Sequence, residues 1–276
     1  MSIDIAYLLP LLLAMLAAGA VGGVLAGLLG VGGGLVIVPV LHTALTLLEI
    51  APEHSMHISV ATSLATIIPT SISSVRAHHQ RGAIDWALAR RWGVWIMLGA
   101  ILGGIAARYL GGTVLTLIFA CVALSVAVFM AVRREGSYWR EQLPGGPGGS
   151  LIPVGIGGVS TLMGIGGGSL TVPTLSACRY PVRNAVATSA FFGLLISLPG
   201  TMTLIISGWD APGLPPFNLG YVSGLGFAII APMTLLCAPL GARIAHSIPP
   251  QWLRNCFTVF LLITATKMFA SALGWF

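Results

Sequence analysis

The chain is written as long apolar runs separated by short polar ones. The apolar runs occupy residues 5–29, 34–48, 57–75, 92–110 and 113–132, and then 150–163, 166–178, 184–207, 219–247 and 252–273. A helix needs about 20 apolar residues to cross a bilayer, so the longer runs predict transmembrane helices. A polar stretch rich in Gly and Pro, RREGSYWREQLPGGPGGS, divides the runs into two sets of five. Within each set a cluster of glycines separates the first two runs: GVGGGLVIVP at 30–39 and GIGGGSLTVP at 164–173.

The two decapeptides agree at six of ten positions, and other matches follow in the same order. VATS stands at 60–63 and again at 186–189; LGGIAARYL (102–110) resembles LGARIAHSI (240–248); Phe119 and Met130 are in register with Phe257 and Met268. Ordered self-similarity of this kind indicates an internal duplication. Arg and Lys favour cytoplasmic loops, which places Arg76, Arg81, Arg90 and Arg91 inside, with Arg133, Arg134, Arg140, Arg179, Arg183, Arg243 and Arg254. The loops EIAPEHSMH and GWDAPGLPPFNLGY carry no Lys or Arg and go outside. With these anchors the three long runs of one half cross in the opposite sense to those of the other. Residues 150–178 must leave and return to the same side. At 1.5 Å per residue they extend only about 43 Å, too short for two full spans.

The expected fold is therefore an all-α polytopic membrane protein of two inverted-topology repeats. Repeat 1 covers residues 1–135 and repeat 2 covers 150–276, with a cytoplasmic linker at 136–149. Each repeat is a glycine-broken re-entrant helical hairpin (5–48 and 150–178) followed by three transmembrane helices. A single broken helix crossing once is the rival for each glycine region.

Composition narrows the class. The sequence is 56% hydrophobic and 7% charged, with mean hydropathy +0.96, against about 25% charged in soluble domains. The N-terminus lacks the positive region of a signal peptide and reads as a retained first span. Four cysteines without a CxxC suggest neither a metal site nor a disulfide framework. Glu53, His54 and His57 lack the further ligands a metal site needs. The net charge of +6 is what basic cytoplasmic loops produce. A GxxxxGK[ST] loop, GxSxG and HExxH are absent, which disfavours ATP-driven transport and intramembrane catalysis. All seven acidic residues lie in loops or at termini, whereas cation and proton pathways commonly use buried carboxylates.

The candidate chemistry lies at the glycines. Irregular backbone survives in a membrane only where protein buries it or where it lines a wet cavity. A helix that restarts beyond a glycine turn presents unpaired N–H groups and the positive end of its dipole, and that combination binds anions. Helix packing through small residues is the alternative use of glycine, and Gly99, Gly103 and Gly104 are assigned to it. The candidate substrate contacts are Gly30, Gly32, Gly33 and Gly34 in the first motif, and Gly164, Gly166, Gly167, Gly168 and Ser169 in the second. Thr62 and Ser63, with their counterparts Thr188 and Ser189, could add hydroxyl donors, or could simply bond their own helix carbonyls. Ser169 and Thr171 stand where the first motif has Leu35 and Ile37, so selectivity is expected in the second hairpin.

His42 is a candidate proton carrier, with a packed histidine near the outer mouth as the alternative. Lys267, the single lysine, either contacts an anion or snorkels to the surface. Arg183 and Asn184 border the inner mouth. No cofactor, metal or nucleic acid is called for. The expected partners are a small anion and the bilayer, with a homodimer left open.

The duplicated GxGGGxxxxP, the paired ATS stretches and the loop HHQRGAIDW resemble the TauE/SafE family of sulfite exporters over nearly the whole chain. The resemblance implies a transporter of sulfite, organosulfonates or related sulfur anions in a bacterial inner membrane. A passive anion channel shares most of these features and stays open as the alternative.

Overall fold

The computed structural model describes residues 5–29, 32–132, 148–247 and 250–274. Its helices are α1 (Ile5–Leu29), α2 (Gly34–Leu47), α3 (Ser55–Gln80), α4 (Trp86–Tyr109) and α5 (Gly112–Val132), then α6 (Gly148–Met163), α7 (Gly168–Ala177), α8 (Val182–Ser207), α9 (Gly224–Ser247) and α10 (Pro250–Ala272). Both glycine clusters break the helix where the sequence places the break. Most of the linker expected at 136–149, through residue 147, lies outside the described residues, as does Gly30.

The bounds shift where polar chemistry extends or stops a helix. α3 continues past Arg76 to Gln80, and α4 starts early because Asp85 caps it, its carboxylate accepting from the N–H groups of Ala87 and Leu88 at 2.9 and 3.0 Å. The run expected from 219 starts as helix only at Gly224. Ahead of it, β1 (Asn218–Leu219) pairs antiparallel with β2 (Val222–Ser223), the one departure from an all-α chain among the described residues.

Helices α3 and α8 pack together at the centre, with α4 against α8 and α9 against α3. Further out, α1 lies along α9, α6 along α4, and α5 along α10. Glycines set the close approaches. A Cβ on Gly19 would lie 2.7 Å from the Met233 Cβ, and one on Gly23 would lie 2.9 Å from the Thr234 Cα. Likewise Gly99 meets Val154 and Gly103 meets Gly158, each within 2.9 Å of a Cα. In both pairs the residue numbers rise together, so α1 runs parallel to α9 and α4 parallel to α6. Side-chain volume at these positions would push the helices apart.

The polarity is inverted relative to a water-soluble domain. α4 exposes Val94, Met97, Leu98, Leu102 and Ile105, whereas α3 buries Ser59, Thr62, Ser63, Thr66 and Ser71. Among the described residues, five helices (α3, α4, α5, α8 and the Gly224–Gly241 part of α9) are long and apolar enough to cross a bilayer. The molecule is a multi-pass membrane protein.

Candidate anion site at the glycine crossing

The glycine breaks are built alike. Gly33 and Gly167, equivalent in the two motifs, each cap the helix that follows, with φ of 73° and 69°. A side chain at this left-handed conformation is strained. Each carbonyl then accepts from the first turn: Gly33 O from the N–H groups of Val36 and Ile37 at 3.0 and 3.1 Å, Gly167 O from those of Leu170 and Thr171 at 3.1 and 2.7 Å. The N–H groups of Gly34 and Leu35, and those of Gly167 and Ser169, find no acceptor among the described residues. Among the described residues, both helix N-termini thus keep donors that are not spent.

The breaks also meet. A Cβ on Gly32 would sit 3.5 Å from the Gly166 Cα. One on Gly34 would overlap the Gly164 carbonyl oxygen and stand 3.0 Å from both the Ile165 Cα and the Ser63 Oγ. Ser63 donates to the Gly164 carbonyl at 2.7 Å, fixing α3 to the second break. α8 closes the other side: a Cβ on Gly193 would lie 2.8 Å from the Gly166 carbonyl oxygen and 3.0 Å from the Ser71 Oγ. Protein encloses most of this irregular backbone, with Gly33, Gly34 and Gly164 to Gly168 all buried; burial meets the condition for such backbone at membrane depth.

Two buried hydroxyls at the start of α7, Ser169 and Thr171, have no hydrogen-bond partner among the described residues. Most buried side-chain polar atoms have at least one; these two hydroxyls lie beside the unpaired amides with their donors unspent. Ser71 joins the crossing without having been singled out from sequence. A signal existed: serines follow Ser63 and Ser189 by the same interval, at 71 and 197.

The remaining sequence candidates lie elsewhere. Thr62 Oγ1 accepts from the Ser223 N–H at 2.9 Å, and Thr188 Oγ1 from the Asp85 N–H at 3.0 Å, so both hydroxyls hold loops. Ser189 donates to the Val186 carbonyl in its own helix at 2.8 Å. His42 is buried, within 3.1 Å of the Ser55 Oγ and 3.3 Å of the Ser271 Oγ, linking α2 to α3 and α10. Lys267 and Arg183 are exposed. Asn184 donates to the Ala83 carbonyl at 3.1 Å.

On the face that carries exposed Arg81, Arg90, Arg91 and Arg183, the Tyr180 hydroxyl donates to Asp85. That bond, helped by the Leu88 and Ala87 N–H groups and opposed by partial burial, holds the Asp85 carboxyl below its ordinary 3.8. Burial first, then Asp85, raises the Tyr180 hydroxyl above its ordinary value. A carboxyl lowered on folding contributes stability that is complete above the unfolded value and is lost as pH falls through the folded one. Thermal melts in detergent are therefore expected to show Asp85→Asn narrowing its deficit against the parent protein as pH falls below the ordinary aspartate range; a pH-independent deficit would refute this.

A family model, sulfite exporter TauE/SafE, matches residues 15–268. The chain belongs to this family. A "Probable membrane transporter protein" of Haemophilus influenzae is 34% identical over 262 residues, covering 94% of this chain and 98% of that one. A protein of the same description from Methanocaldococcus jannaschii is 28% identical over 248 residues, or 90% of each chain. One from Bacillus subtilis is 25% identical over 209 residues, 69% of this chain and 77% of the relative. No solved structure matches the chain. TauE/SafE membership makes this chain a membrane transporter.

Proposed function

We propose that this TauE/SafE protein is a secondary carrier of a small sulfur-containing anion, such as sulfite or an organosulfonate, held between the N-termini of α2 and α7. The observation that carries the reading is the contact of the two glycine breaks beside the unpartnered Ser169 and Thr171 hydroxyls. Helix N-termini bring positive potential and free amides to an oxyanion. Hydroxyls add directional donors without fixed charge, so release costs less than it would from an arginine clamp. Gly32, Gly33, Gly34, Ser63, Gly166, Gly167, Ser169 and Thr171 form the site in this reading, with Ser71 at its rim. Thr62 and Thr188 act as positioning residues.

The same reading takes residues 1–135 and 150–276 as inverted repeats, each led by a re-entrant hairpin. The packing pairs support it: exchanging the two sets of five helices carries the α1–α9 pair onto α6–α4, and α3–α9 onto α8–α4. The parallel course of α6 with α4, together with the Tyr180–Asp85 bond, returns α7 to the face from which α6 departs. Inverted repeats meeting at half-helix ends are a recurrent design of secondary transporters. No chemical step on the substrate is part of this function.

Proteoliposomes loaded with unlabelled anion and given a labelled one outside distinguish the possibilities. A panel of sulfite, thiosulfate, sulfoacetate, taurine and sulfate is expected to include at least one anion whose uptake is accelerated by internal substrate. Uptake insensitive to internal substrate would indicate a channel, and no uptake of any member would remove the sulfur-anion assignment.

A further inference from the structure

Thr62 and Thr188 occupy equivalent positions in the duplicated VATS, and their hydroxyls do equivalent things on opposite faces. Thr188, on α8, accepts from the N–H of Asp85, the residue that caps α4. Thr62, on α3, accepts from the N–H of Ser223, whose hydroxyl accepts in turn from the Gly226 N–H at 3.1 Å in the first turn of α9. In each case the central helix of one half holds the N-terminus of a span from the other half. Each capped residue follows a buried plug. On the Arg-rich face Ala83 and Ile84 pack against Ala187; on the face carrying Glu49, Glu53 and Asp210, Tyr221 and Val222 are buried, with the Tyr221 ring 4.9 Å from that of His57.

We propose that these two loop plugs are the gates on either side of the glycine crossing, each latched by its VATS threonine, and that opening to one face requires releasing that latch alone. The proposal rests on the carrier reading above. Both latches are closed in this structure, so the conformation is occluded. The latches differ in strength. The Arg-rich gate is reinforced by the charge-assisted bond from Tyr180 to Asp85 and by Asn184 on the Ala83 carbonyl, and hydrogen bonds to a carboxylate are roughly twice as strong as neutral ones. The opposite gate has aromatic packing and neutral bonds. Weakening the Arg-rich latch therefore shifts the population toward opening on that face.

The test is sided labelling of a protein in which Cys121, Cys178, Cys237 and Cys256 are replaced by serine. One reporter cysteine is placed at Ser71, at the rim of the crossing on the side of α3 that leads to Arg81, or at Thr201, beyond the crossing along α8. A membrane-impermeant maleimide is applied to right-side-out and to inverted vesicles. Tyr180→Phe and Thr188→Val are each expected to raise labelling of the Ser71 reporter from the Arg-rich face by about tenfold, the effect of losing one hydrogen bond in a charged network, and to leave the Thr201 reporter unchanged. Thr62→Val is expected to act on the Thr201 reporter from the opposite face. Thr188→Ser, which keeps the hydroxyl, is expected to label like the parent protein.

Unchanged labelling in Tyr180→Phe and Thr188→Val would overturn the proposal. So would labelling raised equally on both faces, which would mean loosened packing rather than gating. Labelling needs no substrate, so its result stands apart from the choice of anion: failed transport with sided labelling intact would indict the substrate assignment, not the gates.

Discussion

Replacing Gly34 by alanine is expected to reduce transport at least a hundredfold while the protein still reaches the membrane. The new Cβ would overlap the Gly164 carbonyl oxygen and crowd the Ile165 Cα at 3.0 Å. Both obstacles are backbone, so no rotamer relieves them, and overpacking of a filled interior costs on the order of 1–3 kcal/mol. The break of one half would be pushed off the break of the other, separating the two sets of amides that share the ligand. Binding geometry tolerates little of this, since a misplacement of about 1 Å can cost two orders of magnitude in rate. Gly155→Ala is the matched control. Its Cβ would meet nothing within 4 Å, and alanine favours helix over glycine by up to about 1 kcal/mol, so full transport and equal or better stability are expected. Normal uptake by Gly34→Ala, measured per molecule in proteoliposomes, would mean that the crossing is packing alone.

The sequence makes the breaks legible because glycine clusters in apolar surroundings have few uses, and two copies restrict those uses further. The duplication leads one to expect both breaks at one central site, but not that Gly32 and Gly166 touch, since contact between residues more than a hundred positions apart depends on how the long helices pack. The glycines of α4 are more easily read: Gly99 and Gly103 take α6 and Gly104 takes Thr203, the close approaches such residues commonly serve. Threonine is where sequence reading reaches its limit. Thr62 and Ser63 are neighbours, repeated together, and both are fully buried, yet Ser63 bonds the second glycine break while Thr62 holds a loop across the molecule. A rotation of about 100° along a helix separates the two roles, and nothing in residue type encodes which way each faces. The β1–β2 ribbon escapes detection for another reason: with two residues to a strand, it leaves no alternating pattern.

Thr171→Val and Ser169→Ala are expected to part stability from function. A buried hydroxyl without a partner is paid for in the folded state, because burying a polar group unbonded costs roughly 1–3 kcal/mol on mutational scales. Valine replaces threonine with nearly the same shape, so Thr171→Val is expected to hold or raise the melting temperature in detergent. If the hydroxyl instead donates to a bound oxyanion, the same change removes a hydrogen bond to a charged group, worth about 1.5–3 kcal/mol. That corresponds to a loss of roughly ten- to a hundredfold in apparent affinity, since each 1.4 kcal/mol is a factor of ten. The double variant is expected to lose more than either single one, leaving the main-chain donors of α2 and α7 to hold the anion alone. The first break supplies the comparison, since Leu35 and Ile37 occupy the equivalent positions and carry no side-chain donor. Counterflow measured across substrate concentrations separates the outcomes. A raised half-saturation in a protein that melts no lower than its parent places the hydroxyls at the ligand, whereas lower stability with unchanged half-saturation assigns them to the fold.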